Sequence, residues 1–113
     1  MSRYLSLHRN CLGLDTRIEC AVLPVEEGNG IWVLICAAGM SSCQPTEVKA
    51  NGPFYGACAA EAVIQEITYN LQAMGYKACL DMPIWRLHIQ AELRRISRHS
   101  HSAMNKHQGY PEP

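Results

Sequence analysis

The stretch Asn51–Tyr76, NGPFYGACAAEAVIQEITYNLQAMGY, decides the fold, because a start signal, an apolar period and a stop signal agree there on one element. Ala60, Val63, Ile64, Ile67, Leu71 and Met74 recur at spacings of three and four, which makes a single stripe on a 3.6-residue helix. Glu61, Gln65, Glu66, Asn70 and Gln72 fall largely away from that stripe. Asn51-Gly52-Pro53 turns the chain into the element, and Gly75 offers a left-handed closing residue with Tyr76 folding back. The spacing therefore predicts one long amphipathic helix around which the rest packs.

Upstream, Thr16 to Val25 alternates as a strand, with Ile18, Cys20 and Val22 on one side and Arg17, Glu19 and Ala21 on the other. Glu26 to Gly30 is rich in turn formers, and Ile31 to Ala38, IWVLICAA, is a short apolar run suited to a central strand paired with the first in a hairpin. The polar GMSSCQP at 39–45 reads as a loop, and Thr46 to Ala50 as a brief third strand. Residues 1–14 show neither period cleanly. They are expected to form a short helix or arm that adds Leu5, Leu12 and Leu14 to the core and ends at Gly13.

Downstream, Asp81-Met82-Pro83 is a helix-start signal, with Asp81 as N-cap and proline in the first turn. The next segment, IWRLHIQAELRRIS, carries two patterns. Trp85, Leu87, Ile89, Ala91 and Leu93 alternate with Arg86, His88, Gln90 and Glu92 as in a strand, while the cap and the helix formers of QAELRR favour a helix. Read as a helix, it carries Trp85, Ile89, Leu93 and Ile96 on one face and Ile84, Leu87 and Ala91 on another. From His99 the composition turns polar and ends in two prolines, as a tail does. The expectation is an α+β fold: an antiparallel sheet of two or three strands packed against one long helix, with a second C-terminal helix. It comprises a single domain over 1–98 and a mobile tail over 99–113.

Length and charge narrow the functional classes. A chain of 113 residues supports one core, and 48% apolar with 18% charged residues is a folding composition. Ten acidic and ten Lys or Arg side chains leave no net field to draw nucleic acid or anionic membrane. MSRYLSLHRN has no apolar run of signal-peptide length, and no stretch approaches the roughly 18 apolar residues of a membrane span, so a cytoplasmic protein is expected. Six cysteines, at 11, 20, 36, 43, 58 and 79, include no C-x-x-C pair and are expected to be reduced thiols.

Chemical motifs are sparse. His99, His101 and His107 lack the close paired spacing of zinc ligands, so no metal and no cofactor is expected. G-x-S-x-G, H-E-x-x-H and a glycine-rich phosphate loop are all missing, and no catalytic residue is assigned. Cys43, in the flexible loop, is the cysteine that would serve a thiol-dependent enzyme or a redox-responsive protein, which is one alternative. A second is a nucleic-acid-binding module using the basic run Arg86, Arg94, Arg95, Arg98 and Lys106.

Two resemblances add to this reading. Val48, Gly52-Pro53-Phe54, Ala59-Ala60-Glu61 and Gly75-Tyr76 look like the strand-to-helix half of a SPOR (sporulation-related) repeat over residues 48–80, which implies a βα module from a peptidoglycan-binding family. The second half of that repeat is not recognisable, and no binding residue is carried over. As a whole, the chain is similar to small bacterial anti-activators that bind LuxR-type quorum-sensing regulators and block their dimerisation. That similarity implies a regulatory protein whose partner is a transcription factor. The expected function is a non-enzymatic inhibitor acting through an apolar helix face, with Trp85, Ile89, Leu93 and Ile96 as anchors flanked by Arg86 and Arg94. The same face is expected to support a homodimer.

Overall fold

A computed structural model describes residues 3–25 and 30–109, with side chains described through residue 98. Strands β1 (Arg3–Cys11), β2 (Leu14–Pro24), β3 (Ile31–Met40) and β4 (Glu47–Tyr55) lead into helix α1 (Ala57–Ala73). A two-residue strand β5 (Lys77–Ala78) and helix α2 (Arg86–Gly109) follow. All pairings are antiparallel, in the spatial order β4-β3-β2-β1-β5.

This corrects the expected sheet of two or three strands and the expected long helix. Among the described residues the sheet has five strands, and α1 has 17 residues. The third strand does not end at Ala50 but runs on through Gly52-Pro53, a cis peptide, to Tyr55, so the chain enters α1 only after Gly56 at φ 114. The C-terminal end of α1 closes as a Schellman motif: Gly75, at φ 96, donates its N–H to Gln72 O and Tyr76 donates to Leu71 O, each at 3.0 Å.

The N-terminal segment is a strand, not a helix or arm. Leu12 and Gly13 both have positive φ, 55 and 84, and close a two-residue hairpin of the type I′ kind between the paired Cys11 and Leu14. Leu12, expected in the core, is 98% exposed at the tip.

Both faces of the sheet are covered. Cys20, Val22 and Leu34 pack on Ala60 and Ile64 of α1, joined by Leu5, Ile18, Trp32, Cys36 and Ile67. Ala21, Leu23, Val33, Ile35 and Ala37 pack on Trp85 and Ile89, joined by Tyr4, Val48, Leu93 and Ile96. Strand alternation sends neighbouring residues to opposite helices, which is why IWVLICAA has no polar side. Glu26 to Asn29 of the expected turn lie outside the described residues. The expected tail likewise lies outside them, apart from the α2 backbone as far as Gly109. Among the described residues, no helix is long and apolar enough to cross a membrane.

Candidate functional site

Side-chain hydrogen bonds gather at the approach to α2. Arg17 and Glu19 lie on the α2 side of β2, 5% and 0% exposed. Arg17 Nε donates to Glu19 Oε2 at 2.7 Å, and the remaining guanidinium nitrogens donate to Met82 O at 3.0 Å and Cys79 Sγ at 3.3 Å. The Glu19 carboxylate also accepts the backbone N–H groups of Ile84 at 2.7 Å and Trp85 at 3.1 Å. A buried carboxylate is stable only when its charge and lone pairs are satisfied, and here one guanidinium and two amides do so. Trp85 O then accepts the first helical bond, from Ile89 N–H at 3.0 Å. Asp81, the expected N-cap, is exposed, and the polar anchoring ahead of the helix comes instead from Glu19 in the middle of the sheet.

Hydrogen bonds from this node and its neighbours tie down the irregular segment 79–85, which bends at Asp81 and Ile84. Cys79 N–H donates to Ser6 O at 2.8 Å, and the Trp85 indole donates to Cys43 O at 3.0 Å. Trp85 is buried and Pro83 half-buried, whereas Leu80, Asp81, Met82 and Ile84 are exposed. Leu80 is 98% exposed and Met82 79%, and Leu87 on the first turn of α2 is again 79% exposed. With the half-exposed Ile84, four large apolar side chains between residues 80 and 87 stand in solvent on and beside the segment that these polar bonds hold.

The expected anchors lie elsewhere. Trp85 and Ile89 are 2% and 0% exposed, and Leu93 and Ile96 pack against the same cluster, so this stripe covers the sheet's second face. Arg86 stacks on the Tyr4 ring at 4.8 Å, and Arg94 is exposed. Sequence reasoning did not reach Arg17, Glu19, Leu80 and Met82. The signal available was a pair of opposite charges on one side of a strand that runs straight on into the apolar Cys20 to Leu23.

Other constellations are assembled but wired for structure. His8 Nδ1 is 3.3 Å from Asp15 Oδ1, and Ser41 Oγ donates to Asp15 Oδ2 at 2.7 Å. A nucleophilic triad needs histidine between serine and carboxylate, whereas here the carboxylate stands between, so His8 cannot take the serine proton. The Ser41 hydroxyl first, and then His8, hold the Asp15 carboxyl below its usual range. A depression of about 280 Å³ at the end of β2 and β3 includes Thr16 and Tyr76, whose hydroxyls are engaged with each other at 3.2 Å. Cys43 is exposed, and its Sγ is 3.8 Å from the Ser42 hydroxyl. Among the described residues, no group of three or more His, Cys, Asp or Glu side chains could hold a metal. In the basic run, Arg95 is paired with Glu92.

Fold and site define a small two-helix domain on an antiparallel sheet, with a buried ion pair supporting an exposed apolar edge. The chain belongs to the family described as PA4575-like protein, which it matches over residues 1–113. No curated protein and no solved structure matches it.

Proposed function

We propose that this chain is a non-enzymatic regulatory protein that docks on a protein partner through the apolar edge formed by Leu80, Met82, Ile84 and Leu87. The observation that carries the reading is the pairing of that exposure with a fixed backbone: large apolar side chains stand in solvent on a segment tied by the buried Arg17–Glu19 pair. A backbone already held in place avoids the loop-ordering cost that a mobile segment meets on binding. Exposed clusters of this kind mark interaction surfaces.

The similarity to anti-activators supplies the partner class, a LuxR-type transcriptional regulator whose dimerisation is blocked. Self-association through the same edge is the competing use. Pairing through β4 is disfavoured, because that strand carries Glu47, Lys49 and Pro53 and is irregular opposite Trp32 and Leu34.

The test is sedimentation of a LuxR-type regulator with and without this protein. The wild-type chain is expected to convert regulator dimers to a mixed complex. A Leu80→Asp/Leu87→Asp variant that keeps its circular dichroism spectrum should leave them dimeric. Equal activity of that variant, or regulator dimers untouched by the wild type, would refute the reading.

A further inference from the structure

The α1 side of the sheet holds a second arrangement, independent of the docking edge. Cys20 on β2 and Cys36 on β3 are directly opposed in the register. Their place in the ladder follows from its ends. Val25 N–H donates to Ile31 O and Ser41 N–H donates to Asp15 O, each at 2.9 Å, which makes the two terminal pairs hydrogen-bonded ones. Hydrogen-bonded and non-hydrogen-bonded pairs alternate along an antiparallel ladder. Counted inward from either end, Cys20 and Cys36 fall on a non-hydrogen-bonded pair, as does Pro24 opposite Trp32, where proline has no N–H to lose. Opposed Cα atoms at such pairs are about 4.5 Å apart, inside the roughly 4.4–6.8 Å window of a disulfide. The register therefore brings the two thiols within reach of a disulfide.

The two sulfurs differ in access and in proton affinity. Cys20 is fully buried beneath Ala60 and Ile64, while Cys36 is partly exposed. Cys36 also stands opposite Lys49 of β4, an exposed cation on the same face, whose Nζ is 3.2 Å from Glu47 Oε2. The Cys20 thiol hydrogen-bonds the Cys36 sulfur, which lowers the Cys36 pKa; the same contact, with burial, pushes that of Cys20 up. Attack from the accessible sulfur and resolution by the buried one is the division of labour that thiol oxidation requires.

We infer that Cys20 and Cys36 form a peroxide-responsive dithiol, with Cys36 as the attacking and Cys20 as the resolving cysteine. In the first step the Cys36 thiolate attacks hydrogen peroxide; an S–O bond forms, the O–O bond breaks and hydroxide leaves, giving Cys36 sulfenic acid. In the second step the Cys20 sulfur attacks that of Cys36; the S–O bond breaks, and the departing hydroxyl takes the Cys20 proton as water. Two thiols lose two electrons, and the peroxide is reduced to two waters. A thiol reductant reverses the bond.

The experiment treats the full chain with low-molar-excess hydrogen peroxide, blocks free thiols after denaturation, and maps cysteines by non-reducing peptide mass spectrometry. The expected product is an intramolecular Cys20–Cys36 link, formed before Cys11, Cys43 or Cys58 is oxidised and removed by dithiothreitol. In Cys20→Ser, Cys36 should be trapped by dimedone as the sulfenic acid. Oxidation of the exposed cysteines while Cys20 and Cys36 both remain alkylatable would overturn the inference. The wild-type map decides this even where a variant fails to fold.

Discussion

The two faces of the sheet are covered by helices of similar role but held by different physics. On the α1 side, Ala60 and Ile64 close over Cys20, Val22 and Leu34, and the contact is apolar burial. On the α2 side, an apolar cluster around Trp85 and Ile89 sits beside an ion pair with no exposure on the glutamate. Sequence distance accounts for part of the difference. Helix α1 follows β4 after one residue, so its position is set by chain connection, whereas α2 arrives after an irregular segment that has to be placed. Burying Arg17 and Glu19 adds little net stability over apolar residues of the same volume, but it specifies one backbone path, and that path is the one that turns Leu80, Met82 and Ile84 outward.

That contrast predicts unequal responses to mutation. The largest belongs to Glu19→Ala, which leaves the Arg17 guanidinium buried without its carboxylate and frees the amides of Ile84 and Trp85. A loss of about 3–5 kcal/mol is expected in urea denaturation. Replacing both charges together, Arg17→Met with Glu19→Leu, should cost clearly less than that single change. If it costs more, the pair is a net source of stability and the contrast between the faces fails.

On the opposite face, Ile64→Ala should cost about 2–5 kcal/mol through lost burial and a residual cavity, and that cost should not depend on pH in the acid range. Trp85→Phe keeps most of the apolar contact and removes the bond to Cys43 O, for an expected loss of about 1 kcal/mol.

Much of this organisation was legible in the chain, and the rest was hidden for identifiable reasons. The alternation of Ile18, Cys20 and Val22 against Arg17, Glu19 and Ala21 assigns each residue to the side it occupies. The stripe Trp85, Ile89, Leu93 and Ile96 was equally visible, but a sheet of two or three strands offered it no surface, so it read as a face waiting for a partner. The missing surface was written in IWVLICAA, whose lack of a polar side means burial on both faces. Strand β1 does alternate, with Leu5 and Leu7 toward α1 and Tyr4 and Ser6 toward α2, but the pattern is masked by the apolar Leu12 and Leu14, which the hairpin turn leaves exposed. The Glu19 contacts to residues 84 and 85 span 65 and 66 positions, beyond any local capping rule.

A smaller effect concerns Asp15, which joins the β2 start to the loop after β3. Its folded pKa lies below the usual 3.8, so the stabilisation is fully present above that value and is lost as pH falls through the folded pKa. Asp15→Asn should flatten the acid limb of the stability profile, as read by denaturation from neutral pH downward; an unchanged limb would remove His8 and Ser41 from the energetics. The smallest effect is expected for Leu87→Asp, which touches solvent in the free protein and should shift stability by less than about 0.5 kcal/mol.

The most direct test of a buried ion pair fixing an exposed edge is native-state hydrogen exchange at the amides of Ile84 and Trp85. Neither amide is inside a helix or the ladder, so protection depends on the Glu19 carboxylate. Slow exchange in the wild type, close to that of β2, and a sharp loss of protection in Glu19→Gln are predicted. Exchange in the wild type as fast as that of an exposed loop would show that the segment is not held and that its apolar side chains are not presented as a fixed surface.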